Sequence, residues 1–186
     1  ENVAALSDHF SAPDLASSGP DGAAARRSAA VAVDRIKRPE FVSLGVVLGY
    51  RYEGSPVVAE EAGAGTPFSV TDYLPTARPG ALAPHAWLSD GRSIYDVFAA
   101  GFTLLQLADR NADLEEALTA AAAQARLPLS VADLSHEGLS DLYGAAYALV
   151  RPDQHVAWRG HEIPDPQALI DRVRGAAALN KTRLSA

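Results

Sequence analysis

The side chains best suited to chemistry are the five histidines. His155 and His161, near Asp153 and Glu162, form the closest cluster. A zinc site needs three or four convergent ligands. These residues lie on or just past one short β segment, where successive side chains point to opposite faces. They are read as solvent or interface histidines. Ser, His and Asp are all present, but no G-x-S-x-G elbow exists. Gly54-Ser55-Pro56 lacks the strand–turn–helix setting that exposes a nucleophile. Gly63-Ala64-Gly65-Thr66 imitates a phosphate loop without its lysine, and Pro67 stands where a helix would donate its first amides. Cysteine is absent, which excludes thiol catalysis, disulfides and cysteine metal sites. The catalytic, cofactor-binding and metal sets are therefore all empty. One group remains: Tyr50, Arg51, Tyr52, Tyr73 and Arg78, with His85 beyond it. Aromatic and arginine side chains are enriched in interface cores, so these six are assigned to an interface. The competing reading is that Tyr50 and Tyr52 only face the local core.

Composition narrows the class. With 48% hydrophobic and 21% charged residues, the chain is an ordinary globular protein. A net charge of −7 opposes nucleic-acid binding, which needs a basic face. No apolar run approaches the roughly 20 residues that span a bilayer, so no membrane partner is expected and the location is read as cytoplasmic. There is no methionine, even at position 1, so a piece of a longer protein is expected.

The elements that would position these residues follow from pattern. Residues 1–22 are rich in Ser, Asp, Pro and Gly and read as an arm with a turn at Pro20-Asp21-Gly22. The spacing of Ala29, Val33 and Ile36 predicts a helix over 23–36, ended by Pro39. Residues 41–53, partly alternating and β-branched, predict a strand. Residues 60–84 are a Pro/Gly-rich connection. Residues 85–90 predict a short strand, and Ser93 the cap of a short helix. Phe102–Leu107 is a continuous apolar strand of the kind buried on both faces. Asp113 and Glu116 read as a capping box for the next helix, which stops at Pro128. Leu129–Leu134 follows as a strand, parallel to the first through a right-handed crossover. Ala145–Val150, a turn at Arg151-Pro152-Asp153-Gln154, and His155–Arg159 form an antiparallel hairpin. Asp165 and Pro166 open a last helix, which Gly175 ends.

Strand, helix, strand, hairpin and helix is the thioredoxin order. The fold class is therefore α/β, a thioredoxin-like domain (βαβ plus ββα, mixed sheet) preceded by a helical arm and a strand from an upstream domain. The division is 1–40, 41–84, 85–178 and a tail at 179–186. A redox thioredoxin places its thiols where the first strand enters the helix. Here that turn is Ala108-Asp109-Arg110-Asn111, so thiolate exchange is excluded. Tyr143-Gly144-Ala145 stands where such folds carry a proline before the hairpin.

Several segments together resemble one family. They are Ser43-Leu44-Gly45, Leu48 through Pro56, Ala77-Arg78-Pro79-Gly80, Ala83-Pro84-His85 with Trp87-Leu88, and Leu149 through Asp153 with Val156 through Arg159. In order and spacing these resemble the C-terminal part of bacterial FAD-dependent aromatic and polyketide hydroxylases, the single-component, phenol hydroxylase-like monooxygenases. The resemblance implies a parent enzyme with an FAD-binding domain, a substrate-binding sheet and a redox-inactive thioredoxin-like domain. In that parent, NADPH or NADH reduces the flavin, which supplies the difficult chemistry. Neither the family's G-x-G-x-x-G fingerprint nor its later Gly-Asp segment occurs in these 186 residues. Leu82 stands where the family pattern carries an arginine. No FAD-binding or catalytic residue is therefore carried over.

The expectation is a structural and interface role, with no cofactor bound by this chain alone. Its partner would be the FAD-binding and substrate domain of the same enzyme, and a homo-oligomer is a further expected partner. The alternative is a free-standing thioredoxin-like module that binds a small molecule or a partner protein.

Overall fold

A computed structural model describes residues 4, 6, 7, 10–59, 61–63, 65–163 and 165–177. The tail expected at 179–186 lies outside them. The chain divides into two compact units, residues 1–48 with 68–73, and residues 49–67 with 74–186.

The first unit is built on helix α1, Pro20–Phe41, and the short helix α2, Leu44–Leu48. α1 is longer than its apolar spacing predicts. Pro20 sits in its first turn, where a missing N–H costs nothing, so Pro20-Asp21-Gly22 is a helix start rather than an isolated turn. Pro39 lies inside the helix, which continues to Phe41. The strand expected at 41–53 is not formed. Leu44–Leu48 is helical, and only Arg51 makes an isolated bridge, to Ala81. Gly45 is central to the difference. A Cβ there would stand 1.8 Å from the Ser69 carbonyl oxygen, so the short helix and the 68–73 segment approach at a position only glycine fits.

The second unit contains a four-stranded sheet of β1, Phe102–Gln106; β2, Leu129–Asp133; β3, Tyr147–Val150; and β4, Val156–Gly160. The order is β2-β1-β3-β4, with β1 parallel to β2 and antiparallel to β3, and β3 antiparallel to β4. Helix α3, Ala112–Gln124, crosses from β1 to β2; α4 is the single turn Ser140–Tyr143; and α5, Pro166–Val173, follows β4. This is the thioredoxin-like arrangement the element order implies. The stretch at 85–90 is not a strand. Trp87 makes one isolated bridge to Ser93, and Ile94–Val97 is a 3-10 turn capped by Ser93.

The central strands are buried on both faces, which is why β1 and β3 show no apolar–polar alternation, with Thr103 and Gln106 of β1 buried as well. On one face Leu104, Leu149 and Ala157 pack with Leu118 and Ala122 of α3 and with Leu169, Ile170 and Val173 of α5. On the other, Leu105, Ala148, Val150 and Val156 pack under Ala77, Ala83, Leu88, Ile94, Leu139 and Tyr143.

The cap of α3 differs from the sequence reading. Asn111 is the N-cap, its side-chain oxygen accepting from the Leu114 amide at 3.1 Å. Asp113 lies in the first turn. Both are cap-forming types, and the backbone selects the earlier one. Asn111→Ala is therefore expected to cost about 1 kcal/mol. Asp113→Ala removes only a charge near the helix N-terminus, worth about 0.5 kcal/mol. Chemical denaturation of the two variants checks the ranking.

Candidate interface site

The candidate residues are gathered by an extension of the sheet past β4. The Gly80 amide donates to the Val156 carbonyl at 2.7 Å, and the Val156 amide donates to the Ala81 carbonyl at 2.9 Å. The Ala83 amide reaches the Gln154 carbonyl at 2.9 Å, so residues 80–83 line the outer edge of β4. The Tyr52 amide then donates to the Gly80 carbonyl at 2.9 Å. Gly80 has φ +92°, a conformation that favours glycine, and a Cβ there would also crowd the Tyr52 carbonyl oxygen at 3.2 Å.

This pairing places Tyr50 and Tyr52 on His155. The His155 ring lies 4.9 Å from each tyrosine ring, and the two tyrosine rings are 5.7 Å apart, edge to face. Arg151 stacks on the Tyr52 ring at 4.8 Å, a favourable cation–π geometry. The same guanidinium donates to Asp153 Oδ1 at 3.1 Å and Oδ2 at 2.7 Å. His155 Nδ1 lies 2.9 Å from the Asp153 carbonyl. A carbonyl only accepts, so Nδ1 carries the proton and Nε2 is left as an acceptor in the neutral ring. Among the described residues Nε2 has no partner. The Tyr50 hydroxyl is held above its ordinary pKa by desolvation and by its hydrogen bond with Tyr52.

A second cluster fastens the loop that follows. Arg159 donates through Nε to Glu61 Oε2 at 2.8 Å and through Nη2 to Oε1 at 2.7 Å. Its Nη1 reaches the Tyr143 carbonyl at 2.6 Å. Arg78 donates to Glu61 Oε1 at 2.9 Å, and to the carbonyls of Glu61 at 2.9 Å and Gly63 at 3.2 Å. Arg51 donates to the Thr66 carbonyl at 2.5 Å. Three guanidiniums thus hold one loop by its backbone and a single carboxylate. The Glu61 carboxyl is lowered, first by the Arg159 hydrogen bond and then by the two positive charges, against the opposing effect of burial.

The six expected residues are only partly brought together. Tyr50, Arg51, Tyr52 and Arg78 converge. His85 lies exposed on the next segment, its ring 4.9 Å from Trp87 and 5.5 Å from Tyr95. Tyr73 belongs to the other unit, where its hydroxyl is buried with no partner among the described residues and burial raises its pKa. His155 is corrected most. It is 2% exposed and sits inside the cluster, whereas His161 is exposed. Among the described residues no three His, Asp or Glu side chains are grouped to hold a metal. Sequence reasoning missed Glu61, Arg151 and Arg159. Arg151 shares a hairpin turn with Asp153 and His155, a signal that was available. Glu61 and Arg159 are 98 residues apart and carry no local signal.

Among the described residues each helix of eight or more residues has an acid at its start: Asp21 in α1, Asp113 and Glu115 in α3, and the Asp165 cap of α5. Negative charge at a helix N-terminus competes with a pyrophosphate there. The arginines of the loop are already committed to Glu61 and to carbonyls. Among the described residues no helix is long and apolar enough to cross a membrane.

This cysteine-free thioredoxin-like domain has counterparts among known proteins. The family model for the C-terminal domain of aromatic-ring hydroxylases matches residues 76–177. The chain belongs to that family. It is 36% identical over 143 residues to the FAD-dependent monooxygenase apdD of Emericella nidulans, covering 73% of this chain and 23% of that protein. It is 34% identical over 156 residues to 4-methyl-5-nitrocatechol 5-monooxygenase of a Burkholderia species, covering 73% of this chain and 28% of that one. The structure of the rebeccamycin biosynthetic enzyme RebC with reduced flavin superposes with a TM-score of 0.76 at 38% identity, over 94% of this chain and 32% of RebC. The chain thus spans about a quarter to a third of the length of these relatives.

Proposed function

We propose that this chain is the redox-inactive C-terminal part of an FAD-dependent, NAD(P)H-using aromatic or polyketide hydroxylase, and that its own role is structural. In this reading residues 1–40 close the flavin-domain region, 41–84 connect, and 85–178 form the thioredoxin-like domain. The flavin and the substrate are held by the rest of the same cytoplasmic enzyme, against which this chain packs. Tyr50, Arg51, Tyr52, Tyr73, Arg78 and His85 lie at or near that contact, and a second copy of the enzyme adds a further partner surface.

The observation that carries this role is the apolar surface of the first unit. Phe41 is 82% exposed, Val31 71%, Val47 60% and Phe68 59%. A small unit that leaves so many large apolar side chains in water is built to be covered. The second unit, by contrast, buries its own core on both sheet faces. The test is the pair Phe41→Ser and Val47→Ser, made in the isolated chain and in the parent enzyme. In the chain both positions face solvent, and its Tm should move little. In the parent the same pair should lower the Tm and release flavin. Equal, small effects in both settings would overturn the reading.

The alternative, a free-standing binding module, draws support from a groove of about 790 Å³ beside α3. It predicts a ligand for that groove in a chain that acts without a catalytic partner.

A further inference from the structure

The two edges of the sheet are treated differently. The β4 edge is paired at its start, by residues 80–83 through the hydrogen bonds given above and by the Ala59 amide, which donates to the Ala157 carbonyl at 2.8 Å. Among the described residues the β2 edge has no such cover. The Phe102 amide donates to the Pro128 carbonyl at 2.9 Å and the Leu134 amide to the Gln106 carbonyl at 2.8 Å. With the register Phe102↔Leu129 to Gln106↔Asp133, these bonds assign the amides of Ser130, Ala132 and Leu134 to β1. The N–H and C=O groups of Leu129, Val131 and Asp133 therefore point away from the sheet. No backbone–backbone bond among the described residues uses them.

The side chains of Val131 and Asp133 share the α3 face, because they are two apart on one strand. There they line the groove together with Glu116, Thr119, Ala120 and Ala123 of α3. Ala120, Ala123 and Val131 give it an apolar floor of small side chains, and Val131 is 42% exposed. Its charge is one-sided. Glu115, Glu116 and Asp133 line it against a single guanidinium, Arg110, already paired with Glu115 at 3.1 Å.

We infer that this edge and its groove receive an extended, basic segment of another polypeptide, added as a fifth strand outside β2. The open amides and carbonyls of Leu129, Val131 and Asp133 supply the main-chain ladder, as in strand-addition recognition. Alternate side chains of the added strand fall on the α3 face. One small aliphatic residue sits over Ala120, Ala123 and Val131, and a Lys or Arg two residues away lies between Glu116 and Asp133. A second copy of this chain is the poorer occupant. Its own β2 edge brings the same carboxylates, and the net charge of −7 adds repulsion. This inference does not depend on the hydroxylase reading.

The probe is an acetylated, amidated peptide of sequence Val-Thr-Arg-Thr-Val-Thr-Arg, titrated into the 186-residue chain and followed by amide NMR. The result expected is saturable shifts centred on Leu129, Val131 and Asp133, with slowed hydrogen exchange at those three amides and weakening by salt. The counterpart with Glu for Arg should bind at least about tenfold more weakly, because it meets like charge. Val131→Pro removes an outward N–H without touching the β1 ladder and should weaken binding about tenfold. Glu116→Lys, on an exposed helix position, tests the charge separately if the proline variant folds poorly, and should weaken binding several-fold. No binding of the basic peptide, equal binding of the acidic one, or shifts confined to the β4 side would each overturn the inference. A sedimentation measurement showing dimers held through β2 would overturn the choice of occupant.

Discussion

Leu104→Ala is expected to cost about 4 kcal/mol and to lower the Tm by roughly 10 °C. Leu104 is fully buried at the middle of β1, the central strand that pairs with both β2 and β3. Its side chain packs with Leu118 and Ala122 from α3 and with Ile170 from α5. The sheet and two helices surround it, so the structure has little freedom to collapse into the space left behind. That places the cost in the upper part of the range for leucine-to-alanine changes. Thermal unfolding followed by circular dichroism gives the number. A shift of only a degree or two would mean that this face of the sheet is not the principal core.

The second large effect is on the loop clamp. Arg159→Met should destabilise the chain by about 2 kcal/mol, between the values for exposed and fully buried ion pairs. Arg159 is 19% exposed and Glu61 29%, so neither limit applies alone. The substitution keeps most of the apolar stem, and removes two bonds to Glu61 and one to the Tyr143 carbonyl. It leaves Glu61 with Arg78 as its remaining cation. The pH dependence has a definite sign. Folding lowers the Glu61 pKa, so its contribution is complete above the ordinary glutamate range and is lost as pH falls through the lowered value. Stability of the native chain should therefore fall on acidification below about pH 5, where carboxylates begin to protonate. The variant should show a flatter acid limb. An acid limb identical in both would remove Glu61 from the account. Hydrogen exchange at residues 61–63 and 65–66 should also rise in the variant, because the loop's carbonyls and carboxylate share these guanidiniums.

The second unit was largely legible, because its signals are local. β1 is a mostly apolar run without alternation, the crossover length favours its parallel partner, and Pro152 sets the hairpin turn. Asp165, Pro166 and Gly175 mark the last helix, whose Asp165 side chain accepts from the Ala168 amide at 2.9 Å. The first unit was misread where tertiary contact decides. Residues 41–53 carry β-branched and aromatic side chains, yet Leu44–Leu48 is helical because Gly45 lets that turn press against the Ser69 and Asp72 carbonyls. Tyr50, Arg51 and Tyr52 were identified by type, but the histidine they enclose, His155, was read as a solvent or interface residue and not as a member of their cluster. Its burial depends on residues 80–83 completing the edge of β4, a pairing across more than 70 positions. The partners of Arg78 and Arg159 were equally invisible, since Glu61 lies in a Gly-rich connection with no periodic signal.

The proposed scaffold role, with the chemistry carried by the rest of a parent enzyme, rests on the apolar exposure of the first unit and the committed arginines of the second. Titration of FAD into the purified 186-residue chain, read by the visible flavin bands and by quenching of flavin fluorescence, tests this most directly. The account predicts a colourless preparation and no saturable binding. A yellow chain, or FAD bound with micromolar affinity, would contradict it.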